Sequence, residues 1–158
     1  MITEYVKDSI LNTPHKYIAH GVNCQGVMRS GVAKVLLDKY PQVRSEYLQL
    51  YEQMERMMLE STKEMLGVVQ FVDCQDKIVL NMFTQNSYGY DKKQYVSYEA
   101  IKNCFEELTK YFNENNSEMV TVAIPKIGCG LAGGDWEIVE KIINESTGDK
   151  LNVVVYYL

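Results

Sequence analysis

Four glycines crowd one short segment of the chain, between a predicted strand and a predicted helix. The segment reads Ile-Pro-Lys-Ile-Gly-Cys-Gly-Leu-Ala-Gly-Gly-Asp-Trp over residues 124–136, with glycine at 128, 130, 133 and 134. Glycine accepts positive φ and close approach to its backbone, so successive amide groups can point into one concavity. The helix start behind them adds partial positive charge. The segment therefore predicts an anion site, with a merely flexible connection as the alternative.

A second loop with glycines follows the first long predicted strand. It reads His-Gly-Val-Asn-Cys-Gln-Gly-Val-Met-Arg-Ser-Gly-Val-Ala over residues 20–33. The Asn23 side chain can both donate and accept hydrogen bonds, which suits ribose hydroxyls, and an Asx turn is its alternative role. Gly26 and Gly31 leave backbone amides open beside it. His20 has two interpretations, a catalytic imidazole and a hydrogen-bonded structural residue.

Motif spacing argues against several other kinds of site. Residues 128–133 match the dinucleotide fingerprint G-x-G-x-x-G, but no acid closes a following strand, since Asp149 precedes the last one. The absence of G-x-x-x-x-G-K-[ST] excludes P-loop hydrolysis of nucleotides. A thiol phosphatase built on Cys24 would need an arginine where Ser30 stands. The four cysteines form no Cys-x-x-Cys pair, so we expect no metal and interpret them as reduced core residues.

Length and charge limit the class of protein and its partners. A chain of 158 residues without repeats or linkers predicts one domain over residues 1–158. Sixteen Lys and Arg against twenty-one Asp and Glu give a net charge of −5. This charge argues against binding duplex nucleic acid or an anionic membrane. We find no membrane span and no secretory signal, and therefore expect a cytoplasmic protein.

Short apolar runs alternate with helical patterns along the chain. β-branched and aromatic residues predict strands over residues 17–22, 68–72, 78–83, 120–127 and 151–157, with an edge strand over 2–6. Apolar spacing and caps predict helices over 31–40, from Pro41 to Met58, behind Ser97, and over 136–145 behind Asp135. This alternation predicts an α/β fold, a three-layer α/β/α sandwich with a mixed, mostly parallel central sheet. Ligands of such folds bind at the carboxyl ends of the strands, where both loops and the loop after Phe83 would meet.

The order and spacing of the two loops, residues 23–33 and 124–134, resemble those of the macrodomain family. Residues 5–11, 19–24 and 82–84 are similar, more narrowly, to small stand-alone macrodomains described as ADP-ribose-1''-phosphate phosphatases. That group includes phage-encoded members. If this chain is also phage-encoded, we expect it in the cytoplasm of the host cell. The resemblance covers nearly the whole chain and implies the same fold that the alternating elements predict.

The resemblance implies that ADP-ribose, free or as a derivative, lies across the carboxyl edge of the sheet. Its adenine would lie near residues 8–10, its diphosphate under the loop of residues 128–134, and its distal ribose near Asn23 and residues 28–33. The ligand-binding residues expected are Asp8, Ser9, Ile10, Gly21, Val22, Asn23, Met28, Arg29, Ser30, Gly31, Val32, Ala33, Ile127, Gly128, Cys129, Gly130, Leu131, Ala132, Gly133 and Gly134.

The adenine end departs from the family pattern. Many macrodomains have Gly-Asp-Ile in their first loop, whereas Asp8, Ser9 and Ile10 place the carboxylate one position early. Either Asp8 or Ser9 would then contact the adenine amino group. Tyr156 or Tyr157 would stack on the ring, with strand packing as their alternative role.

The resemblance also implies a reaction at the 1'' carbon. We expect hydrolysis of ADP-ribose-1''-phosphate to ADP-ribose and phosphate, with no metal and no cofactor. His20 and Asn23 are the expected catalytic residues, Asn23 fixing the distal ribose and His20 orienting or activating water. Arg29 and Lys126 are the basic residues near the two loops, so we expect backbone amides to make most of the contacts to the phosphates.

Two alternatives to the phosphatase activity stay open. One is a reader that binds ADP-ribose or ADP-ribosylated macromolecules without turnover. The other is a glycohydrolase that removes ADP-ribose from carboxylates or nucleic-acid bases. The related glycohydrolase branch uses a lysine after the middle strand and an aspartate in the glycine loop. Here residues 83–86 read Phe-Thr-Gln-Asn and 131–134 read Leu-Ala-Gly-Gly, while Lys92 and Lys93 lie further along the chain.

Overall fold

Six strands and four α-helices build residues 1–57, 62–91 and 93–158, the part of the chain that the structure, a computed structural model, describes. The strands are β1 Ile2–Lys7, β2 Tyr17–Asn23, β3 Val69–Asp73, β4 Ile78–Gln85, β5 Thr121–Ile124 and β6 Asn152–Tyr157. The α-helices are α1 Gly31–Lys39, α2 Gln42–Met57, α3 Tyr98–Asn115 and α4 Trp136–Thr147. Short 3₁₀ helices span Ile10–Asn12 and Thr62–Met65.

The strands form one sheet in the order β1-β6-β5-β2-β4-β3. Neighbouring strands are parallel except β3, which runs antiparallel to β4. α3 and α4 pack on one face through residues such as Phe105 and Val139. α1 and α2 pack on the other through Leu36 and Tyr47. The predicted α/β/α sandwich with a mixed, mostly parallel sheet is confirmed.

Two predicted helix starts are confirmed by their caps. The Ser97 side chain accepts a hydrogen bond from the Ala100 amide at the start of α3. The Asp135 side chain accepts one from the Glu137 amide at the start of α4. Both caps satisfy amides that a helix start leaves without intrahelical partners. The second cap fixes the point where the glycine-rich loop ends.

Some predicted boundaries are wrong. β5 ends at Ile124, although a strand over 120–127 was predicted, because Pro125 has no N–H to donate to a neighbouring strand. The strand therefore gives way to the glycine-rich loop earlier than its apolar composition indicates. α4 continues to Thr147, two residues beyond its predicted end. Met58, the predicted end of α2, lies outside the described residues, as does Lys92.

Candidate functional site

A cleft of about 540 Å³ opens at the carboxyl edge of the sheet. The loop between β2 and α1 and the glycine-rich loop between β5 and α4 form its sides, since β2 and β5 are neighbours in the sheet. The residues expected to bind ligand line this cleft, with the exception of Gly133 and Gly134. The structure therefore brings them together, and their contact with a ligand stays a prediction.

Gly133 and Gly134 shape the glycine-rich loop from behind. The Gly134 amide donates to the Gly128 carbonyl at 2.7 Å, and a Cβ at Gly134 would lie 2.5 Å from that same oxygen. Gly133 has a φ of +74°, and a Cβ there would collide with the Lys93 carbonyl. By contrast, a Cβ at Gly130 would meet no atom within 4 Å. Gly128 also has a positive φ, of +77°, and a Cβ there would lie 2.6 Å from Val96, so of the four glycines Gly130 is the one that leaves its side of the loop open.

The start of α1 presents backbone amides on the other side of the cleft. The first amides of a helix have no intrahelical acceptor, and the Ser30 side chain makes no capping hydrogen bond here. Within the described residues, no backbone hydrogen bond uses the amides of Gly31, Val32 or Ala33. A Cβ at Gly31 would meet no atom within 4 Å. These unpaired amides, with the helix dipole behind them, can receive an anion.

Asn23 lines the cleft, yet its side chain holds the loop that follows it. Its Oδ1 accepts from the amides of Gln25 and Val27, at 3.0 and 3.3 Å, and its Nδ2 donates to the Val27 carbonyl at 2.7 Å. The Tyr47 hydroxyl, from α2, lies 2.8 Å from the same Oδ1 and 2.9 Å from the Asn23 carbonyl oxygen. The Asx turn, the alternative role of Asn23, is therefore present. Its expected contact with a ribose hydroxyl stays a prediction, and the second Nδ2 hydrogen is the group left to make it.

His20 lies at the cleft floor, on the face of β2 that α1 and α2 cover, and is 1% exposed. Its Nε2 is 2.5 Å from Asn81 Oδ1 in the neighbouring strand β4. Burial lowers the pKa of the imidazole to about 4. The hydrogen bond to Asn81 raises this pKa, but by less than burial lowers it. His20 is thus neutral at pH 7, without the second ring proton that a general acid would give away. Its Nδ1 has no hydrogen-bond partner among the described residues.

The residues predicted at the adenine end form a compact turn. Asp8 Oδ1 accepts from the Ser9 amide at 2.7 Å and from Asn12 Nδ2 at 2.9 Å. The Ser9 hydroxyl accepts from the Leu11 amide, which caps the first 3₁₀ helix. Both residues line the cleft, and the second carboxylate oxygen of Asp8 has no hydrogen-bond partner among the described residues. Asp8 can therefore accept a further hydrogen bond from a ligand amino group.

Tyr156 and Tyr157 stand at the same end, with different surroundings. Tyr156 is buried among the residues under α1 and α2, which fits the packing role. Tyr157 is 38% exposed, and Lys126 Nζ lies 5.5 Å from its ring centre. Both line the cleft. The exposed ring of Tyr157 is the one that a planar ligand group can reach.

Several residues of the cleft carry no signal in the sequence that marks them as ligand-binding. The loop after Phe83 was expected at this edge, but not its two exposed aromatic residues, Tyr88 and Tyr90. β4 lies on the far side of β2 from β1, so these tyrosines stand opposite the predicted adenine end. The further lining residues are Val27, Val35, Gln85, Gly89, Pro125, Lys126 and Leu158.

Two features are absent from the ranges 1–57, 62–91 and 93–158. No three side chains of His, Cys, Asp or Glu there are grouped so that they could hold a metal ion. No helix there combines the length and the apolar character that crossing a membrane requires. The basic side chains that line the cleft are Arg29 and Lys126.

Comparisons with known proteins agree with this geometry. The family model described as Macro domain matches residues 19–143. An uncharacterized 17.5 kDa protein of Enterobacteria phage T4 is 32% identical over 98% of this chain and 96% of its own length. The solved structure of a macrodomain protein from Streptomyces coelicolor is 27% identical and covers 100% of this chain and 99% of its own, with a TM-score of 0.78.

Two relatives carry names that state an activity. An ADP-ribose 1''-phosphate phosphatase of Debaryomyces hansenii is 25% identical, and the match covers 96% of this chain and 98% of that protein. A DNA ADP-ribosyl glycohydrolase of Mycobacterium tuberculosis is 27% identical over 89% of this chain, which corresponds to 37% of that protein. Relatives of this chain thus include hydrolases of two kinds.

Proposed function

Because the chain belongs to the macrodomain family, we propose that it binds ADP-ribose and hydrolyses ADP-ribose-1''-phosphate to ADP-ribose and phosphate. The observation that carries the proposal is the cleft between the start of α1, whose first amides have no backbone partner, and the glycine-rich loop. Adenine binds near Asp8 and Tyr157, and the diphosphate binds under residues 127–132. The similarity to a phosphatase over nearly the full length of both proteins supports the reaction.

Binding relies on groups without net charge. A helix start and amides in glycine-rich turns bind phosphate through N–H donors and fixed dipoles. Gly31, Val32 and Ala33 supply such donors at the distal end, and Gly130 keeps the opposite side open. Arg29 lines the cleft beside α1 and adds a guanidinium, whose planar donors suit phosphate oxygens.

Hydrolysis requires little covalent chemistry from the protein. Water attacks the 1''-phosphorus, the bond between phosphorus and the 1'' oxygen breaks, and that oxygen takes up the proton that water loses. The amides of α1 stabilise the charge on the phosphoryl oxygens as the bond breaks. Because His20 is neutral and weakly basic, it accepts a hydrogen bond from a reacting group and orients that group without removing its proton. Catalysis then rests on position and on the amide dipoles.

The direct test is phosphorus NMR of the protein with ADP-ribose-1''-phosphate in the presence of a chelator. We expect inorganic phosphate and ADP-ribose in equal amounts, and a protein that releases no phosphate would overturn the proposed reaction. Gly130→Val places a branched side chain at an open cleft position and should weaken binding at least about tenfold, because it displaces the ligand. Glu145→Val adds the same side chain to an exposed position of α4 and serves as the control.

One observation favours a second candidate function, the removal of ADP-ribose from a nucleic-acid base. The end of the cleft next to β4 is lined by Gln85, Tyr88 and Tyr90, which are neutral, and exposed aromatic rings stack on bases. Release of ADP-ribose from an ADP-ribosylated single-stranded oligonucleotide, followed by chromatography, tests it. Tyr90→Ala should then reduce this release and leave phosphate release unchanged. A protein that binds ADP-ribose and turns over neither substrate would be a reader.

A further inference from the structure

A chain of buried side-chain hydrogen bonds runs across three strands and ends at His20. Gln70 of β3 donates through Nε2 to the Glu46 carbonyl of α2 at 2.8 Å. Asn81 of β4 donates through Nδ2 to Gln70 Oε1 and to the Val43 carbonyl, each at 3.1 Å. Asn81 Oδ1 faces His20 Nε2 at 2.5 Å. Asn81 is 0% exposed and His20 1%, so solvent does not compete for the bond between them, whereas Gln70 at the other end of the chain is half-buried.

Two backbone carbonyls fix the direction of every bond in this chain. A carbonyl oxygen can only accept, so the atom that Gln70 turns to Glu46 is its amide nitrogen. Gln70 then turns its oxygen to Asn81, which must donate to it. The Val43 carbonyl imposes the same orientation on Asn81 independently. Asn81 therefore turns its oxygen to His20 and can only accept there.

The proton on the imidazole ring is thereby assigned. His20 Nε2 must donate to Asn81, and a neutral imidazole carries one N–H, so Nδ1 bears a lone pair. Nδ1 has no partner among the described residues, although the ring is buried. Buried acceptors are normally paired, and an unmade hydrogen bond in the interior is costly. His20 also lines the cleft, although Nδ1 itself exposes less than 1 Å² of surface, so a donor has to enter the cleft floor to reach it.

We propose that His20 Nδ1 accepts a hydrogen bond from a hydroxyl donor at the cleft floor, and that Asn81 and Gln70 are positioning residues that fix the imidazole tautomer for it. The donor is a ribose hydroxyl of the ligand or a water molecule held against it. The opposite tautomer would present an N–H that can only donate to such a hydroxyl, and it would leave Asn81 Oδ1 facing an unprotonated Nε2. The identity of the ligand rests on the proposed function, whereas the tautomer does not.

Nitrogen-15 NMR of the imidazole tests the tautomer without any ligand. The chain has two histidines, so His15→Gln leaves a spectrum of His20 alone. We expect a protonated Nε2 and an unprotonated Nδ1 at neutral pH. Asn81→Leu removes the acceptor and should abolish this preference, while Asn81→Asp keeps an acceptor oxygen and should keep Nε2 protonated, although its carboxylate also favours a second proton on Nδ1. Thr84→Val, also buried in β4 with a hydroxyl that has no partner, is the matched control.

The outcome of that spectrum is decisive in either direction. Nδ1 protonated in the His15→Gln protein would overturn the proposal, and so would a preference for Nε2–H that survives Asn81→Leu. If Asn81→Leu does not fold, the parent spectrum still decides the tautomer, and Asn81→Asp still tests the acceptor.

Two ligands distinguish the sources of the hydroxyl donor. ADP-ribose should move the Nδ1 resonance in the direction of an accepted hydrogen bond. If ADP, which lacks the distal ribose, leaves that resonance in place, the donor is a ribose hydroxyl. If both ligands move it equally, the donor is water. A resonance that stays unchanged under saturating ADP-ribose overturns the ligand-facing half of the proposal.

Kinetics separate this inference from the proposed function. With ADP-ribose-1''-phosphate, Asn81→Leu should raise KM if the donor is a ribose hydroxyl, or lower kcat if it is water, in either case by about tenfold. Thr84→Val should change neither. A protein without phosphatase activity refutes the reaction alone, because the NMR spectra report on His20 independently of turnover.

Discussion

Burial decides what a single residue can do at this site. His20 was expected as a catalytic residue on the strength of its type, and the structure places it at the cleft floor with its pKa lowered to about 4. A base this weak is a poor acceptor for a whole proton near neutral pH, although it still accepts a hydrogen bond. Asn23 similarly keeps its expected place while most of its hydrogen-bonding capacity goes to its own loop.

The lowered pKa of His20 predicts a specific loss of stability in acid. The unfolded imidazole binds a proton near pH 6.5 and the folded one near pH 4, so between these values the unfolded state binds more protons and stability rises with pH. Compared with His20→Gln, the parent protein should lose about 2–3 kcal/mol more on going from pH 7 to about 4.5. Urea unfolding at both pH values measures this. Equal losses in parent and variant would contradict the buried neutral imidazole, and His15→Gln should behave as the parent.

Substitution by alanine should have different effects on stability at two glycines of the same loop. Gly134→Ala brings a Cβ to 2.5 Å from the Gly128 carbonyl oxygen and 2.8 Å from Val96, and should destabilise the protein by about 1–3 kcal/mol. Gly130→Ala meets no atom within 4 Å and should leave stability nearly unchanged. Thermal unfolding of the two variants measures the difference. A Gly130→Ala protein as unstable as Gly134→Ala would show that the loop is packed on both sides.

At the scale of elements, α2 determines the shape of the loop that forms one side of the cleft. From α2, the Tyr47 hydroxyl bonds both oxygens of Asn23, and the Tyr51 ring packs against Gly26. Gly26 has a φ of +75°, and a Cβ there would lie 2.8 Å from that ring. The loop is thus held by a helix that does not itself line the cleft.

Removing one hydroxyl of α2 should therefore affect ligand binding at a distance. Tyr47→Phe takes away the donor to Asn23 and should destabilise the protein by about 1–2 kcal/mol while weakening ADP-ribose binding. Tyr51→Phe keeps the ring against Gly26 and loses only a hydroxyl whose partner is Glu55, so it serves as the control. Urea unfolding and calorimetric titration give the two quantities. Unchanged affinity in Tyr47→Phe would mean that the loop keeps its shape without this bond.

Local signals explain which elements the sequence predicts correctly. Ser97 and Asp135 cap their helices through amides two or three residues away, so the sequence alone carries the information. The bonds from Gln70 to Asn81 and on to His20 depend on the register of β2, β3 and β4, which joins residues up to 61 positions apart. The sequence contains no local trace of that register. For the same reason, residues 88 and 90 were missed as cleft residues, although their loop was expected there.

At the scale of the whole molecule, the net charge of −5 sets a condition on binding. The ligand is an anion, and the basic side chains that line the cleft are Arg29 and Lys126. At long range, the net charge of the protein therefore repels the ligand. Affinity must come from amides and dipoles in direct contact, which salt screens much less than it screens charges at a distance.

Binding of ADP-ribose should accordingly depend little on ionic strength. We expect the Kd to change by less than about threefold between roughly 0.05 and 0.5 M salt, because few exposed ion pairs form. Leu131→Lys adds a cation at a cleft position that is 51% exposed, and should strengthen binding at low salt and introduce a clear salt dependence. Calorimetric titration at both salt concentrations measures this. A steep dependence of the Kd on salt in the parent protein would show that charged side chains supply most of the binding free energy.

The position of β1 beside β6 has a consequence for the order in which the site is completed. These two strands pair in parallel although they come from residues 2–7 and 152–157, and they carry the two sides of the predicted adenine end. Closing a loop of that length is slow compared with forming the β2-β4 pair or the helices. The α1 side of the phosphate end can thus take shape early, whereas the glycine-rich loop waits for β5 to pair with β2 and the adenine end waits for β1 to pair with β6, so adenine recognition should be the last property that a refolding molecule acquires.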